Sequence, residues 1–154
     1  MLRLCHGMRR IDDVDRKILT LLQEDARRTL DDVGRRVALS APSVKRRVDR
    51  LRADGVIRSF TAVLDPTALG WQTEALVELF YAPGVLLAEV AADLARHPEV
   101  VAAWSVTGEA DAIARVRTQD NGDLERLIVD LQRDGRVVRT RSQVVLSQLL
   151  SRGG

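Results

Sequence analysis

The spacing of apolar residues changes partway along this 154-residue chain, and that change most constrains its fold. Up to about residue 54, apolar residues recur at helical spacing. Beyond residue 71, short runs typical of strands alternate with helical patterns. The chain is long enough for two small cores, and with only 3% aromatic residues those cores must be aliphatic. The pattern predicts a helical first domain followed by an α+β second domain.

Three helical patterns with recognisable start signals fill the first domain. The first helix is predicted over about residues 13–25, behind an acidic start that suits a helix N-terminus. Thr29 is predicted to cap a second, shorter helix. Ser40 is predicted to cap the third helix, which runs through Asp54. A short helix, a tight turn and a further helix is the helix-turn-helix arrangement.

The third predicted helix carries a hydroxyl and arginine face that is separate from its apolar stripe. Such a helix can enter the major groove of DNA, although an ordinary solvated basic face is the alternative. Residues 1–60 carry 15 Lys and Arg against 9 Asp and Glu, a net charge of +6, whereas residues 61–154 carry −4. This asymmetry favours DNA. The predicted DNA-binding residues are Ser40, Ser43, Lys45, Arg46, Arg47 and Arg50.

Two short alternating segments, 56–58 and 60–64, predict a strand pair or wing after the third helix. The rest of the chain predicts the order βαββαβ, the ferredoxin-like arrangement with both helices on one side of a sheet. The uncovered sheet face should pair with a second copy of the chain. The predicted boundaries are 1–10 for a flexible N-terminal extension, 11–64 for the winged helix-turn-helix domain, 65–71 for a linker and 72–150 for the ferredoxin-like domain.

Several motifs lie in a recognisable order along both domains. They are Ile11–Leu19, Leu39-Ser40, Gly55–Phe60 and Leu64–Pro66 in the first domain, and Pro98–Val100, Trp104–Asp111 and Thr140–Ser142 in the second. In order and spacing they resemble the Lrp/AsnC (feast/famine) family of transcription regulators. The resemblance implies a winged helix-turn-helix domain that binds DNA. It also implies a ferredoxin-like domain, called RAM, that assembles the protein and binds a free amino acid.

The resemblance further implies the ligand-binding residues. In the family a Gly-x-x-Asp turn and a Thr-x-Thr pair edge a pocket between subunits, which here correspond to 108–111 and to Thr140 with Ser142. Ala112 stands where the family often has an aromatic residue. Two alternatives therefore remain: a pocket of different shape, or a plain hairpin turn that binds no ligand. The predicted ligand-binding residues are Trp104, Gly108, Glu109, Ala110, Asp111, Thr140 and Ser142.

The predicted function is a sequence-specific DNA-binding transcription regulator, modulated by a free amino acid or similar small ligand. The expected assembly is a homodimer or a larger form such as an octamer. A ligand-independent DNA-compacting protein is an alternative, and a ferredoxin-fold enzyme is disfavoured because no nucleophile lies near a base in the sequence.

Composition excludes several further classes of protein. One cysteine, Cys5, precludes an internal disulfide framework, and two histidines make a zinc site improbable, so no metal or cofactor is expected. No apolar run is long enough to span a membrane. The N-terminus lacks the features of a signal peptide, which indicates a cytoplasmic protein, and Met8 is an alternative start.

Overall fold

The computed structural model describes residues 11–150, which form two compact units, 11–63 and 64–150. The predicted N-terminal extension, and with it the alternative start at Met8, lies outside the described residues. No helix within residues 11–150 is long and apolar enough to cross a membrane.

The first unit is a three-helix domain whose helices begin where the cap residues predict. The helices are α1 (Asp13–Glu24), α2 (Leu30–Val37) and α3 (Ala41–Ala53). The side chains of Asp12 and Thr29 each accept the backbone N–H three residues later, which satisfies donors that a helix start leaves free. Ser40 precedes α3, but its side chain makes no such bond; its hydroxyl donates to the Ser43 hydroxyl at 3.0 Å.

The turn between α2 and α3 depends on a close backbone approach at Gly34. A Cβ atom at Gly34 would lie 2.4 Å from the carbonyl oxygen of Leu39, so a larger residue cannot occupy this position without moving the backbone. Ala38 adopts a left-handed conformation with φ of 56°, and the Leu39 N–H closes the turn on the Gly34 carbonyl at 2.9 Å. One fully buried residue from each helix forms the core: Ile18, Val33 and Val44. The helix-turn-helix prediction is confirmed.

The predicted strand pair after α3 is wrong. Residues 56–64 form no strand. The N–H groups of Val56 and Ile57 both bond to the carbonyl of Leu51, at 2.9 and 3.1 Å, which ties this segment to the end of α3. Val63 is 87% exposed, and an alternating pattern without a partner strand cannot form the hydrogen bonds of a sheet. The predicted linker, residues 65–71, contains one turn of 3₁₀ helix, Thr67–Leu69.

The second unit has the predicted βαββαβ order. Its elements are β1 (Thr73–Tyr81), α4 (Leu87–Leu94), β2 (Val100–Ser105), β3 (Ala112–Thr118), α5 (Asn121–Gln132) and β4 (Val137–Val144). The strands pair antiparallel in the order β2-β3-β1-β4. Helices α4 and α5 bury Val90 and Leu131 against Ala75, Val77 and Leu79 of β1, one of the two central strands. The α+β fold with a ferredoxin-like second domain is confirmed.

The opposite face of the sheet carries charged side chains in pairs. Because side chains alternate along a strand, Glu74 and Glu78 of β1 lie on this face, away from the buried positions. Glu74 pairs with Arg115 and Arg117, each at 2.7 Å. The Arg139 guanidinium stacks on the Phe80 ring, 3.8 Å from its centroid. We call this surface the open face.

Candidate functional site

A buried carboxylate joins the first helix to the third. The Asp15 side chain is 1% exposed, and its two oxygens accept hydrogen bonds from Arg47, at 2.8 Å, and from Arg50. The Arg47 guanidinium also donates to Asp12 at 2.7 Å. A buried charge is tolerated only when it is paired and hydrogen-bonded, and here both arginines neutralise it. The cluster of Asp12, Asp15, Arg47 and Arg50 therefore fixes α3 against the start of α1.

The structure thus separates the arginines that helical spacing places on one face. Arg47 and Arg50 point towards α1, and their side chains are 25% and 34% exposed. Arg46 is exposed and makes no ion pair with any residue in 11–150. Lys45 is paired with Asp49 at 2.6 Å, but both side chains are more than half exposed, so solvent weakens that pair.

The outer surface of α3 therefore presents hydroxyls and a cation. Ser40 and Ser43 are joined by their hydroxyl groups at the start of the helix, and Arg46 follows Ser43 by three residues, on the same side. A helix start that presents hydroxyl groups and an arginine can bond to phosphate oxygens and to base edges.

A surface cleft of about 720 Å³ lies at one end of the open face. Its polar lining comes from Glu78, Ser105, Thr107, Glu109 and Arg141. The Arg141 guanidinium bonds to Glu78 at 2.6 Å and lies 3.6 Å from the Glu109 carboxylate. Of the predicted ligand-binding residues, Glu109 and Ala110 line this cleft.

Trp104 belongs to the same part of the open face. In the register of the sheet, Trp104 of β2 lies opposite Ile113 of β3. Ile113 lies opposite Glu78 of β1, and Glu78 lies opposite Arg141 of β4. These four residues form one row across all four strands, and Trp104 is 52% exposed at the β2 end of it. Trp104 also borders a separate apolar groove of about 400 Å³ between α4 and β2.

Thr140 and Ser142 lie on the other face of the sheet. They pair with Leu79 and Val77, whose side chains face the helices, and the Thr140 hydroxyl accepts a bond from Gln132 of α5 at 3.4 Å. Their hydroxyls share a face, as their spacing predicts, but the period of two puts Arg141 between them on the open face. Within one protomer the structure does not bring this pair together with the cleft.

Gly108 and Asp111 shape the turn between β2 and β3. Gly108 has a φ of 129°, a conformation that side chains rarely allow. The Asp111 carboxylate accepts the backbone N–H of Tyr81 at 2.8 Å, so one of its oxygens is already occupied. Burial, and then the negative charge of Asp111, raise the pKa of Tyr81.

Comparisons with known proteins agree with this geometry. Residues 11–52 match the family model of the AsnC-type helix-turn-helix domain, and residues 74–154 match that of the Lrp/AsnC ligand binding domain. The chain is 46% identical to the HTH-type transcriptional regulator Rv2324 of Mycobacterium tuberculosis, over 94% of this chain and 98% of that protein. The chain belongs to the Lrp/AsnC family. It is a transcriptional regulator with a ligand-binding domain, and its relatives are regulators rather than enzymes.

Solved structures place this Lrp/AsnC regulator among proteins of the same architecture. The feast or famine regulatory protein (Rv3291c) of M. tuberculosis, complexed with L-methionine, is 32% identical with a TM-score of 0.86, covering 92% of this chain and 96% of that one. The regulator NMB0573 of Neisseria meningitidis, in an L-Met complex, is 27% identical with a TM-score of 0.85, covering 93% and 94%.

Three residues that matter to these sites escaped the sequence-based prediction. Asp15 could have been recognised from the sequence, because it follows Asp12 by three residues, the spacing of the capping box that the two form at the start of α1. Glu78 and Arg141 lie opposite each other in neighbouring strands, and Glu78, a charged residue inside the mostly apolar β1, is the available signal for a pair across an open sheet face. No cluster of three metal-ligating side chains occurs in the described part of the chain.

Removal of the buried carboxylate should destabilise the helical domain. We expect Asp15→Ala to lower the free energy of unfolding by about 2–4 kcal/mol, because two partly buried arginines lose their counter-charge. Asp49→Ala, which breaks only the exposed pair with Lys45, should cost under about 0.5 kcal/mol. Urea unfolding followed by circular dichroism measures both, and equal losses would contradict the buried-cluster interpretation.

The same cluster should make stability depend on pH. The backbone N–H of Asp15, and then the Arg47 guanidinium, lower the pKa of Asp12. The stabilising contribution of Asp12 is therefore fully present above the ordinary carboxyl pKa, about 4, and is lost as the pH falls through its lowered value. Asp12→Asn should make the decline in unfolding free energy between about pH 5 and pH 2 shallower. Asp13→Asn, an exposed neighbour, is the control and should leave the slope unchanged.

Proposed function

We propose that the regulator reads DNA with the outer face of α3, and that a free amino acid modulates it through the second domain. The main observation that supports this DNA-binding surface is the exposed Arg46. It has no ion pair within residues 11–150 and follows the hydroxyls of Ser40 and Ser43. An arginine free of protein partners can bond in bidentate fashion to guanine. Lys45, whose exposed ion pair exchanges easily, supplies a phosphate contact.

Arg47 and Arg50 have a different part in this proposal. Their guanidinium groups hold Asp15, so they set the angle at which α3 is presented. Direct contact of these two arginines with DNA stays a prediction, and it requires bonds from the part of each group that is still exposed.

The proposed ligand is a free amino acid. The ligand-binding domain of the family covers the second unit, and two similar solved structures are complexes with L-methionine. The residues proposed for this site are Trp104, Gly108, Glu109, Ala110, Asp111, Thr140 and Ser142. Because Thr140 and Ser142 face away from the cleft within one protomer, a pocket that uses all seven needs residues from more than one copy.

Self-association is therefore part of the proposal. The open face leaves Leu76 and Trp104, 37% and 52% exposed, beside paired charges, and a second copy can cover this face by two-fold symmetry. A dimer would present two copies of α3 to a pseudo-palindromic site, and larger assemblies such as an octamer would add further pairs.

Loss of the exposed arginine should weaken and broaden DNA recognition. We expect Arg46→Ala to weaken binding by about 1–3 kcal/mol and to flatten sequence preference, as the loss of a base contact does. Arg126→Ala, at an exposed position of α5 in the second domain, removes the same charge and should leave binding unchanged. Binding isotherms on matched and scrambled duplexes at fixed salt measure this, and equal affinities for all three proteins would exclude the proposed face.

Amino-acid binding should appear as thermal stabilisation. A ligand at a hundred times its Kd adds about 2.7 kcal/mol to the stability of the domain that binds it. We therefore expect at least one of the standard amino acids, screened singly at millimolar concentration, to raise Tm and to change DNA affinity. A protein that compacts DNA without ligand control would bind duplex DNA and show no shift with any of them.

A further inference from the structure

We infer that Asp12 lowers the affinity of the regulator for every DNA duplex, because its carboxylate competes with DNA phosphates for the Arg47 guanidinium. This inference rests on the proposed function, in which the outer face of α3 lies against DNA. It gives the residue that caps α1 a part in setting DNA affinity, although Asp12 itself makes no contact with the duplex.

Arg47 lies next to the surface that is proposed to read DNA. It follows Ser43 by four residues on α3, and residues at this spacing lie on the same side of a helix, one turn apart. A helix in the major groove is flanked by phosphates, which accept hydrogen bonds from arginine. Since the Arg47 side chain is 25% exposed, it is placed to contact a phosphate unless another acceptor holds it.

Two carboxylates hold Arg47, and they differ in exposure. The Nη1 atom of Arg47 donates to Asp12 Oδ2 at 2.7 Å and to Asp15 Oδ1 at 2.8 Å. The Asp15 side chain is 1% exposed, whereas that of Asp12 is 49% exposed. Breaking a buried ion pair is costly, but an exposed pair contributes little to stability. A DNA phosphate can therefore displace Asp12 from Arg47 while Asp15 stays in place.

The charge of Asp12 decides the net charge of this cluster. Asp15 is paired with Arg50 as well as with Arg47, so one buried carboxylate faces two cations. With Asp12 the two aspartates and two arginines sum to zero, and without it they sum to +1. Contacts between cations and phosphates raise affinity for any duplex, because phosphates carry no sequence information. Asp12 thus reduces the part of DNA affinity that is independent of sequence.

The charge of Asp12 can be separated from its capping role. Its Oδ1 atom accepts the backbone N–H of Asp15 at 2.7 Å, and its Oδ2 atom accepts the bond from Arg47. Asparagine and serine cap helices as well as aspartate does, so the cap does not require the charge. Asp12→Asn and Asp12→Ser therefore remove the competing carboxylate and retain the start of α1.

The inference can be tested with full-length protein on matched and scrambled duplexes, between about 50 and 200 mM salt. Asp12→Asn should bind both duplexes about threefold more tightly than wild type, and by the same factor, since the gained contact is to phosphate. The slope of log K against log salt should become steeper by about 0.9 for each copy of the chain that gains a phosphate contact. Asp12→Ser should behave in the same way.

Two controls assign the effect to Arg47. Asp13→Asn removes an equal charge from an exposed neighbouring position and should leave the salt slope unchanged. Asp12→Asn is also compared in an Arg47→Gln background, where it should give no gain in affinity, because the guanidinium that it releases is absent. Circular dichroism and urea unfolding, measured on the same samples, show that each variant is folded.

The outcomes separate this inference from the proposed function. The inference is overturned, while the reading face stands, if Asp12→Asn and Asp12→Ser bind DNA no more tightly than Asp13→Asn, or if their gain persists in the Arg47→Gln background. Weaker binding by both folded Asp12 variants has the same consequence, because Asp12 would then serve only the fold. If Arg46→Ala binds both duplexes as wild type does, the proposed reading face fails, and this inference fails with it.

Discussion

The buried carboxylate of Asp15 is the constraint on which the helical domain depends. A charge with 1% exposure needs compensation, and the guanidinium groups of Arg47 and Arg50 provide it across the helix interface. The same aspartate completes the capping box of α1, so one side chain starts a helix and also orients another. The fixed α3 then turns the hydroxyls and Arg46 outwards, so the surface that we propose reads DNA depends on an interaction inside the domain.

The sheet of the second domain divides its functional groups by the alternation of strand side chains. Along β4, Thr140 and Ser142 face the helices whereas Arg141 faces the open side. The open face of β4 therefore offers the charged Arg141 to a ligand, whereas its helix-facing side offers the hydroxyls of Thr140 and Ser142. In the proposed function, a ligand that contacts both sets lies between two copies of the chain, and that arrangement would link ligand binding to assembly.

Much of the fold could be predicted because its signals are local. The acidic start of α1, the cap Thr29, the spacing of apolar residues and the βαββαβ order each depend on a few neighbouring residues. The strand pair at 56–64 failed because alternation shows only that a segment can be a strand, whereas a strand also needs a partner. The candidate ligand residues were predicted from family motifs, and their placement on two faces required the register of β4.

The sequence by itself determined the two domains, the element order and a basic first domain, since composition, caps and periodicity act within short stretches of chain. The tertiary structure alone decided which of three arginines on α3 form ion pairs with residues in the range 11–150. Helical spacing groups Arg46 with Arg47 and Arg50. Asp15, which lies on α1, forms ion pairs with Arg47 and Arg50, so these two side chains point towards α1. It likewise decided that Arg141 meets Glu78 and Glu109, because pairing across strands joins residues that are far apart in the chain.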